Sequence, residues 1–163
     1  MPFLVRKITR AKWKGCDEKL DAPIFADAIT RCLSTSSNTL SVWYAADESE
    51  INNAKIALFA SLQRVETIDI TVLDEGELIK NGLTLVQTPG VTGALQFVGL
   101  HRDISGLTVD ELKKVAVIVQ ESIINKKCVR VNERGMKDIL NAAITANVVN
   151  KKDLSEGLAK SLQ

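Results

Sequence analysis

The sequence predicts one domain of the α/β or α+β class, residues 1–163, in which helices pack on a mixed sheet of about five strands. Residues 47–73 change from a helical period to a strand period, and residues 108–124 carry a complete helix-start signal. A length of 163 residues suits a single domain, and an apolar content of 45% argues against disorder. The chain is therefore expected to bury one sizeable core.

The stretch 47–73 is typical of a helix that runs directly into a strand. Asp47 with Glu50 three positions later resembles a capping box, and acidic groups suit a first helical turn. Apolar residues then follow at helical spacing: Ile51, Ala54, Leu58, Leu62 and Val65. After these the apolar residues alternate: Ile68, Ile70 and Val72. A preceding strand, Leu40–Ala45, completes a β-helix-β unit, whose crossover is right-handed if its strands pair in parallel.

Two elements are predicted before that unit. Residues Phe3–Ile8 alternate and predict a short strand at a sheet edge, where charged residues discourage aggregation. Pro23 suits the first turn of a helix that Asp21 caps, and its buried stripe ends at Cys32. Residues 9–21 look irregular.

Helices, short strands and one unassigned segment are predicted for the second half of the chain. Thr108 and Glu111 form a capping box at the start of a helix over 109–124. The other expected elements are a helical turn at 77–80, strands at 83–87 and 128–131, and helices at 133–147 and 153–162. The last two helices predict a C-terminal helical hairpin over 133–163. Residues 88–107 have no clear period, and structureless segments of that length tend to be functional or mobile.

Composition excludes several classes of protein. The net charge is +1, which gives no overall attraction to nucleic acid or acidic membranes. No apolar run is long enough for a signal peptide or a membrane span, and the three widely spaced cysteines suit reduced thiols in the cytoplasm. One histidine and no CxxC pair leave no familiar zinc set. We therefore expect no metal and no cofactor.

Residues 88–107 hold the sharpest catalytic candidates. His101 suits proton transfer near neutral pH, and Asp103 would orient it if the segment folds back. The alternative is an ordinary histidine in a surface loop. The glycine-containing segment 88–93 either approaches an anion through its backbone or forms a structural turn. Asp69 and Asp74 either hold a divalent cation or belong to a solvated acidic rim.

The N-terminal segment is the candidate contact surface. It combines cations with an aromatic ring: Arg6, Arg10, Lys12, Trp13 and Lys14. Such a surface suits a protein partner, because aromatic residues dominate binding hot spots. It also suits nucleic acid, since a ring among cations stacks on bases.

The leading functional hypothesis is a small non-enzymatic protein that binds another macromolecule, as an accessory, regulatory or immunity-like subunit. It rests on the scarcity of catalytic motifs, and it predicts a protein partner or a homo-oligomer. A second hypothesis is a small-ligand or nucleotide-binding enzyme that uses segment 88–107 with His101. The third is a nucleic-acid-binding protein that uses the basic N-terminal segment.

Overall fold

The computed structural model describes residues 1–162, in which six strands form one sheet. In chain order they are β1 (Phe3–Ile8), β2 (Leu40–Ala45), β3 (Ile68–Asp74), β4 (Thr84–Gln87), β5 (His101–Ser105) and β6 (Cys128–Val131). Their order across the sheet is β4-β5-β2-β1-β3-β6, and every neighbouring pair is antiparallel. The α+β alternative is confirmed, although the sheet is antiparallel where a mixed sheet was expected.

Helices cover both faces of the sheet. They are α1 (Ala26–Cys32), α2 (Ile51–Ala60), α3 (Glu75–Lys80), α4 (Val109–Ile124), α5 (Glu133–Thr145) and α6 (Glu156–Ser161). Residues of α1, α3 and α4 pack on the first face together with Leu4 of β1. Residues of α2, α5 and α6 pack on the second face together with Val5. Because Leu4 and Val5 are both fully buried, β1 contributes to two cores at once.

This double burial explains why β1 is not the edge strand expected from its charges. β1 lies between β2 and β3, and its two adjacent apolar residues require cover on both faces. Its two charged residues, Arg6 and Lys7, remain partly exposed although the strand is central. β1 also separates the two strands of the predicted β-helix-β unit. β2 and β3 are both antiparallel to β1 and so run parallel to each other without pairing.

Most predicted elements are present with small changes of boundary. The helix predicted from Pro23 begins at Ala26, and Phe25 rather than Asp21 occupies its N-cap position. The capping box of Thr108 and Glu111 is confirmed at the start of α4. The terminal helix is shorter than expected and ends at Ser161, and Gln163 of the expected 133–163 hairpin lies outside the described residues.

Segment 88–107 is the largest departure from the prediction. It contains β5, which pairs with β2 on one side and with β4 on the other. A 3-10 turn, Leu95–Leu100, precedes this strand. Only Ile104 of β5 is buried, so the strand lacks the apolar alternation by which strands are usually recognised.

Candidate functional site

Strands β1 and β2 separate in the middle of the sheet. They share three register pairs, the last of which joins Val5 to Trp43. Beyond this point β1 continues to pair with β3, and β2 continues to pair with β5. Continuing the register would set Lys7 opposite Ser41, but these residues form no ladder pair. The divergence opens a gap between two halves of the sheet.

This gap forms a crevice of about 560 Å³. Its walls are the end of β1, the start of β2, the last turns of α1 and α2, and the segment that precedes β5. Three cations line it, namely Arg6, Lys7 and Arg31. His101 and several serine hydroxyls also line it, and none of its described lining residues is an aspartate or glutamate. The crevice therefore has a positive, hydroxyl-rich wall.

Arg6 bridges the gap with its guanidinium group. Nη1 donates to the Ser41 carbonyl, and Nη2 donates to the Cys32 carbonyl at 3.0 Å. Nε is buried and has no hydrogen-bond acceptor within residues 1–162. No carboxylate of the described residues lies within ion-pair distance of Arg6. Arg6 is therefore a partly buried cation without a counter-charge, whereas charges removed from water are ordinarily paired.

Burial also affects the acidity of the Arg6 guanidinium group. It lowers the pKa of Arg6 to about 10, which still leaves the guanidinium charged at neutral pH. The other two cations of the crevice differ in their pairing. Lys7 forms an ion pair with Glu66, whereas Arg31 lies exposed in the last turn of α1 without a carboxylate partner in the described part of the chain. Arg6 and Arg31 therefore supply positive charge that no described side chain neutralises.

His101 belongs to a hydrogen-bonded network on the second face of the sheet, the face on which Trp43 packs. Its Nδ1 lies 2.8 Å from Thr88 Oγ1, and Thr88 Oγ1 donates to Asp103 Oδ2, also at 2.8 Å. Ser41 Oγ donates to the other carboxylate oxygen, Oδ1, at 3.2 Å. Side chains two apart on a strand share a face, so His101 and Asp103 are brought together by β5 itself and need no folded-back loop.

Trp43 and Gly90 fix the position of the imidazole. The rings of Trp43 and His101 meet edge to face, with centroids 5.1 Å apart and planes at 74°. A Cβ on Gly90 would lie 2.6 Å from Trp43 Cη2 and 2.7 Å from His101 Cβ. Only glycine fits at this position, so the segment before β5 is packed closely on both rings.

The structure separates the predicted N-terminal contact residues. Trp13 is fully buried in the first core, and its ring is not available to a partner. Arg10 is paired with Asp17 at 3.0 Å, and Lys12 with Asp27 at 3.2 Å. Lys14 is exposed. Of the five residues, only Arg6 reaches the crevice.

The acidic candidates are accounted for by local structure. Asp74 caps α3 by accepting from the Gly76 N–H at 2.8 Å. Asp69 lies 3.4 Å from Arg130 Nε and accepts from the Arg10 N–H at 3.2 Å. Within residues 1–162 there is no group of three or more metal-ligating side chains.

Several residues of the crevice were not singled out by the sequence. Thr88 was noted only as part of the glycine-containing segment, and Ser41 and Arg31 carried no local signal. Ser41 and Asp103 face each other only because β2 pairs with β5 across 62 positions of sequence. Such a partner becomes visible only once the register of the sheet is known.

Comparison with known proteins gives this chain no relative. No family model, no curated protein and no solved structure matches it. Among the described residues, no helix has both the length and the apolar character needed to cross a membrane. The chemistry of the crevice is therefore the guide to function. Its cations and hydroxyl groups suit the binding of an anion, and its imidazole supplies a proton donor or acceptor beside them.

Proposed function

We propose that the protein binds a small anionic molecule in the crevice between β1 and β2. This choice follows the second of the hypotheses drawn from the sequence, with the site extended from segment 88–107 to the gap in the sheet. The observation that carries it is the guanidinium of Arg6, which is inserted in the gap with a buried, unpartnered Nε–H and no neighbouring carboxylate. A bound anion would supply the missing counter-charge.

The size and shape of the crevice support the same proposal. A volume of about 560 Å³ lies within the range of roughly 300–1,000 Å³ typical of small-molecule sites. The walls combine apolar surface from Leu58 and Pro89 with a few polar groups, and this mixture is usual where a ligand must be held in one orientation. A phosphate, a carboxylate or the phosphate of a nucleotide would each present the required charge.

Anion binding is tested by NMR titration at low ionic strength, with inorganic phosphate, citrate and adenosine monophosphate as separate probes. We expect the backbone amides of β1, β2 and the segment before β5 to shift in a saturable way with at least one probe. Replacing Arg31 by alanine removes an unpaired cation from the rim, and we expect affinity to fall about tenfold, the equivalent of one charged hydrogen bond.

The matched control is Arg134→Ala, which removes the same charge from the exposed first turn of α5. It should leave the affinity unchanged apart from a small effect of net charge. Saturable shifts that lie outside the crevice, or an equal loss of affinity in both variants, would contradict the proposal. So would the absence of any shift with all three probes.

A macromolecular partner, which the sequence favoured, is kept as a second proposal, on a surface that is not the N-terminal segment and that adjoins the crevice at Val91. Val91 and Leu95 are large apolar residues that are 91% and 61% exposed, in the segment that leads to β5. Exposed apolar groups near a binding site suit a protein partner or a second copy of the chain. Analytical ultracentrifugation of the wild type and of Val91→Ser/Leu95→Ser tests self-association, and a monomer at all concentrations removes the homo-oligomer.

A reducing compartment such as the cytoplasm is proposed for the same protein. Cys16, Cys32 and Cys128 are free thiols, and the first two are buried. Free thiols persist where glutathione and thioredoxin keep them reduced.

A further inference from the structure

The hydrogen-bond network around His101 determines which ring nitrogen carries the proton. A carboxylate accepts hydrogen bonds and donates none, so the single hydroxyl hydrogen of Thr88 is directed to Asp103. The oxygen of Thr88 is then left to accept from His101 Nδ1, 2.8 Å away. Nδ1 of the neutral imidazole therefore bears the hydrogen, and Nε2 keeps its lone pair.

Nε2 has no protein partner among residues 1–162. All the hydrogen bonds that His101 makes through its ring are on the Nδ1 side. The residue also lines the crevice that contains Arg6, Lys7 and Arg31. One residue of the cation-lined crevice thus carries a ring nitrogen without a protein partner, which is an unusual combination for a site that binds anions.

We infer that His101 is a specificity-determining residue whose Nε2 accepts a hydrogen bond from a hydroxyl group of the bound anion. This inference rests on the proposed function, and it narrows the ligand class to anions that carry an O–H next to their charge. The cations hold the charged oxygens, while Nε2 selects for the hydroxyl hydrogen. Thr88 and Asp103 act as positioning residues, because they reach the ligand only through the imidazole.

Three cations line the crevice together with His101, namely Arg6, Lys7 and Arg31. Asp103 reaches the imidazole only through Thr88. Glu66 is paired with Lys7, and Arg102 points to the opposite face, where it lies 4.7 Å from the ring of Tyr44. The probes are compared at about pH 8, above the reference histidine pKa of about 6.5.

Phosphate and sulfate form a matched pair of probes for this inference. Inorganic phosphate keeps one P–OH group at pH 8, whereas sulfate has the same tetrahedral shape and no hydrogen. A sulfate oxygen opposite Nε2 would place two hydrogen-bond acceptors against each other. A site built to accept a hydrogen bond from a ligand hydroxyl binds an analogue without that hydroxyl much more weakly. We expect phosphate to bind at least about tenfold more tightly than sulfate at equal ionic strength, a difference worth one hydrogen bond.

A hydroxyl on phosphorus and a hydroxyl on carbon can each donate a hydrogen bond to Nε2. A second pair of probes distinguishes these two sources. Ethyl phosphate is fully ionised at about pH 8, since the second phosphate ester pKa is about 6. Hydroxyethyl phosphate differs from it by one carbon-borne hydroxyl. Preference for phosphate over sulfate assigns the donor to phosphorus, and preference for hydroxyethyl phosphate over ethyl phosphate assigns it to carbon.

The single histidine makes the test direct, because its two ring nitrogens are the only imidazole signals in a ¹⁵N NMR spectrum. We expect the Nδ1–H tautomer in the free wild-type protein. Thr88→Val keeps the shape of the side chain but removes the acceptor, so the tautomer should become mixed and the preference for the hydroxyl-bearing probe should decrease. Thr88→Ser restores the hydroxyl and should restore both readouts.

His101→Phe provides the test on the ligand. For this variant, the ratio of the affinities for the two members of each pair should be near one. Residual anion binding should persist through Arg31 and Lys7. An Nε2–H tautomer in the wild type would overturn the inference. Equal affinities of the wild type for the two members of each probe pair would also overturn it. Either result leaves the proposed anion site intact. If no anion binds at all, the proposed function fails and the inference fails with it.

Discussion

Arg6 Nη1 donates a hydrogen bond to the Ser41 carbonyl across the gap between β1 and β2, where a backbone amide would ordinarily be the donor. An antiparallel ladder that stops leaves backbone groups without partners, and such groups are costly when buried. The guanidinium donates to one such group, the Ser41 carbonyl, and also to the Cys32 carbonyl. The same side chain thereby bridges the gap and places a cation in it, so the local fold and the candidate site share one residue.

Arg6→Met should separate these two roles. The Ser41 carbonyl is exposed and can pair with water, whereas the part-buried Cys32 carbonyl loses its donor at about 1–3 kcal/mol. Removal of a buried charge that lacks a counter-ion offsets part of this loss. We expect a net destabilisation of about 1–3 kcal/mol in urea unfolding.

The ligand response of Arg6→Met is the more specific readout. Phosphate should raise the melting temperature of the wild type, because a ligand that binds only the folded state stabilises it. The variant should show no such rise. Arg6→Lys keeps the charge but cannot form the planar fork to two carbonyls, so it should retain part of the phosphate response. An equal response in the wild type and Arg6→Met would contradict a role for this cation in binding.

Gly90→Ala should disturb the imidazole without changing any charge. The added Cβ would lie 2.6 Å from Trp43 and 2.7 Å from His101, closer than real contacts allow, so both rings must shift. Overpacking of this kind costs about 1–3 kcal/mol. We expect a lower melting temperature and altered ring signals of His101 by NMR. Gly99→Ala is the matched control, since its nearest neighbour would be Gln87 Nε2 at 3.9 Å. Equal effects of the two changes would exclude close packing at Gly90.

The elements that the sequence predicted well depend on short-range signals. The helix α4 begins one residue after Thr108 because Thr108 and Glu111 satisfy each other's backbone donors within four residues of chain. β3 was predicted from apolar alternation, which is also local. β5 was missed because its exposed face carries His101 and Asp103, and because only Ile104 is buried. A strand that lines an open crevice lacks the pattern by which strands are recognised.

The candidate site was predicted only in part for a related reason. The pair His101 and Asp103 was identified because two residues of suitable chemistry lie close in sequence. Trp13 was predicted to be a partner contact because cations surround it in the chain, yet the fold turns the ring inward and leaves the cations outside. The crevice itself follows from the point at which β1 and β2 diverge, and that point is set by packing between residues about 35 positions apart.

Thr71 and Ser122 should be energetically coupled. Their hydroxyl oxygens lie 2.7 Å apart in the interior, and Ser122 Oγ also donates to the Val72 carbonyl at 3.0 Å. Ser122→Ala leaves the Thr71 hydroxyl buried without this partner, at about 1–3 kcal/mol. Thr71→Val should cost about 1 kcal/mol, because Ser122 keeps its bond to the carbonyl. In a double-mutant cycle by urea unfolding, the double variant should lose less stability than the sum of the single changes. Strict additivity would show that the two hydroxyls do not interact.

Asp47 should make the 3-10 turn Glu48–Glu50, which leads directly into α2, sensitive to acid. Its side chain accepts from the Ser49 hydroxyl and from the Ser49 and Glu50 N–H groups, and these hydrogen bonds, chiefly those from Ser49, lower the pKa of Asp47. A carboxyl whose pKa is lower in the folded state stabilises that state above its unfolded pKa, and the contribution disappears as the pH falls through the folded pKa. Asp47→Asn keeps a capping oxygen that does not titrate. We expect the wild type to melt above the variant at neutral pH, and this difference should shrink below about pH 4. A difference in melting temperature that stays constant from neutral pH into acid would show that the charge of Asp47 contributes nothing to the cap.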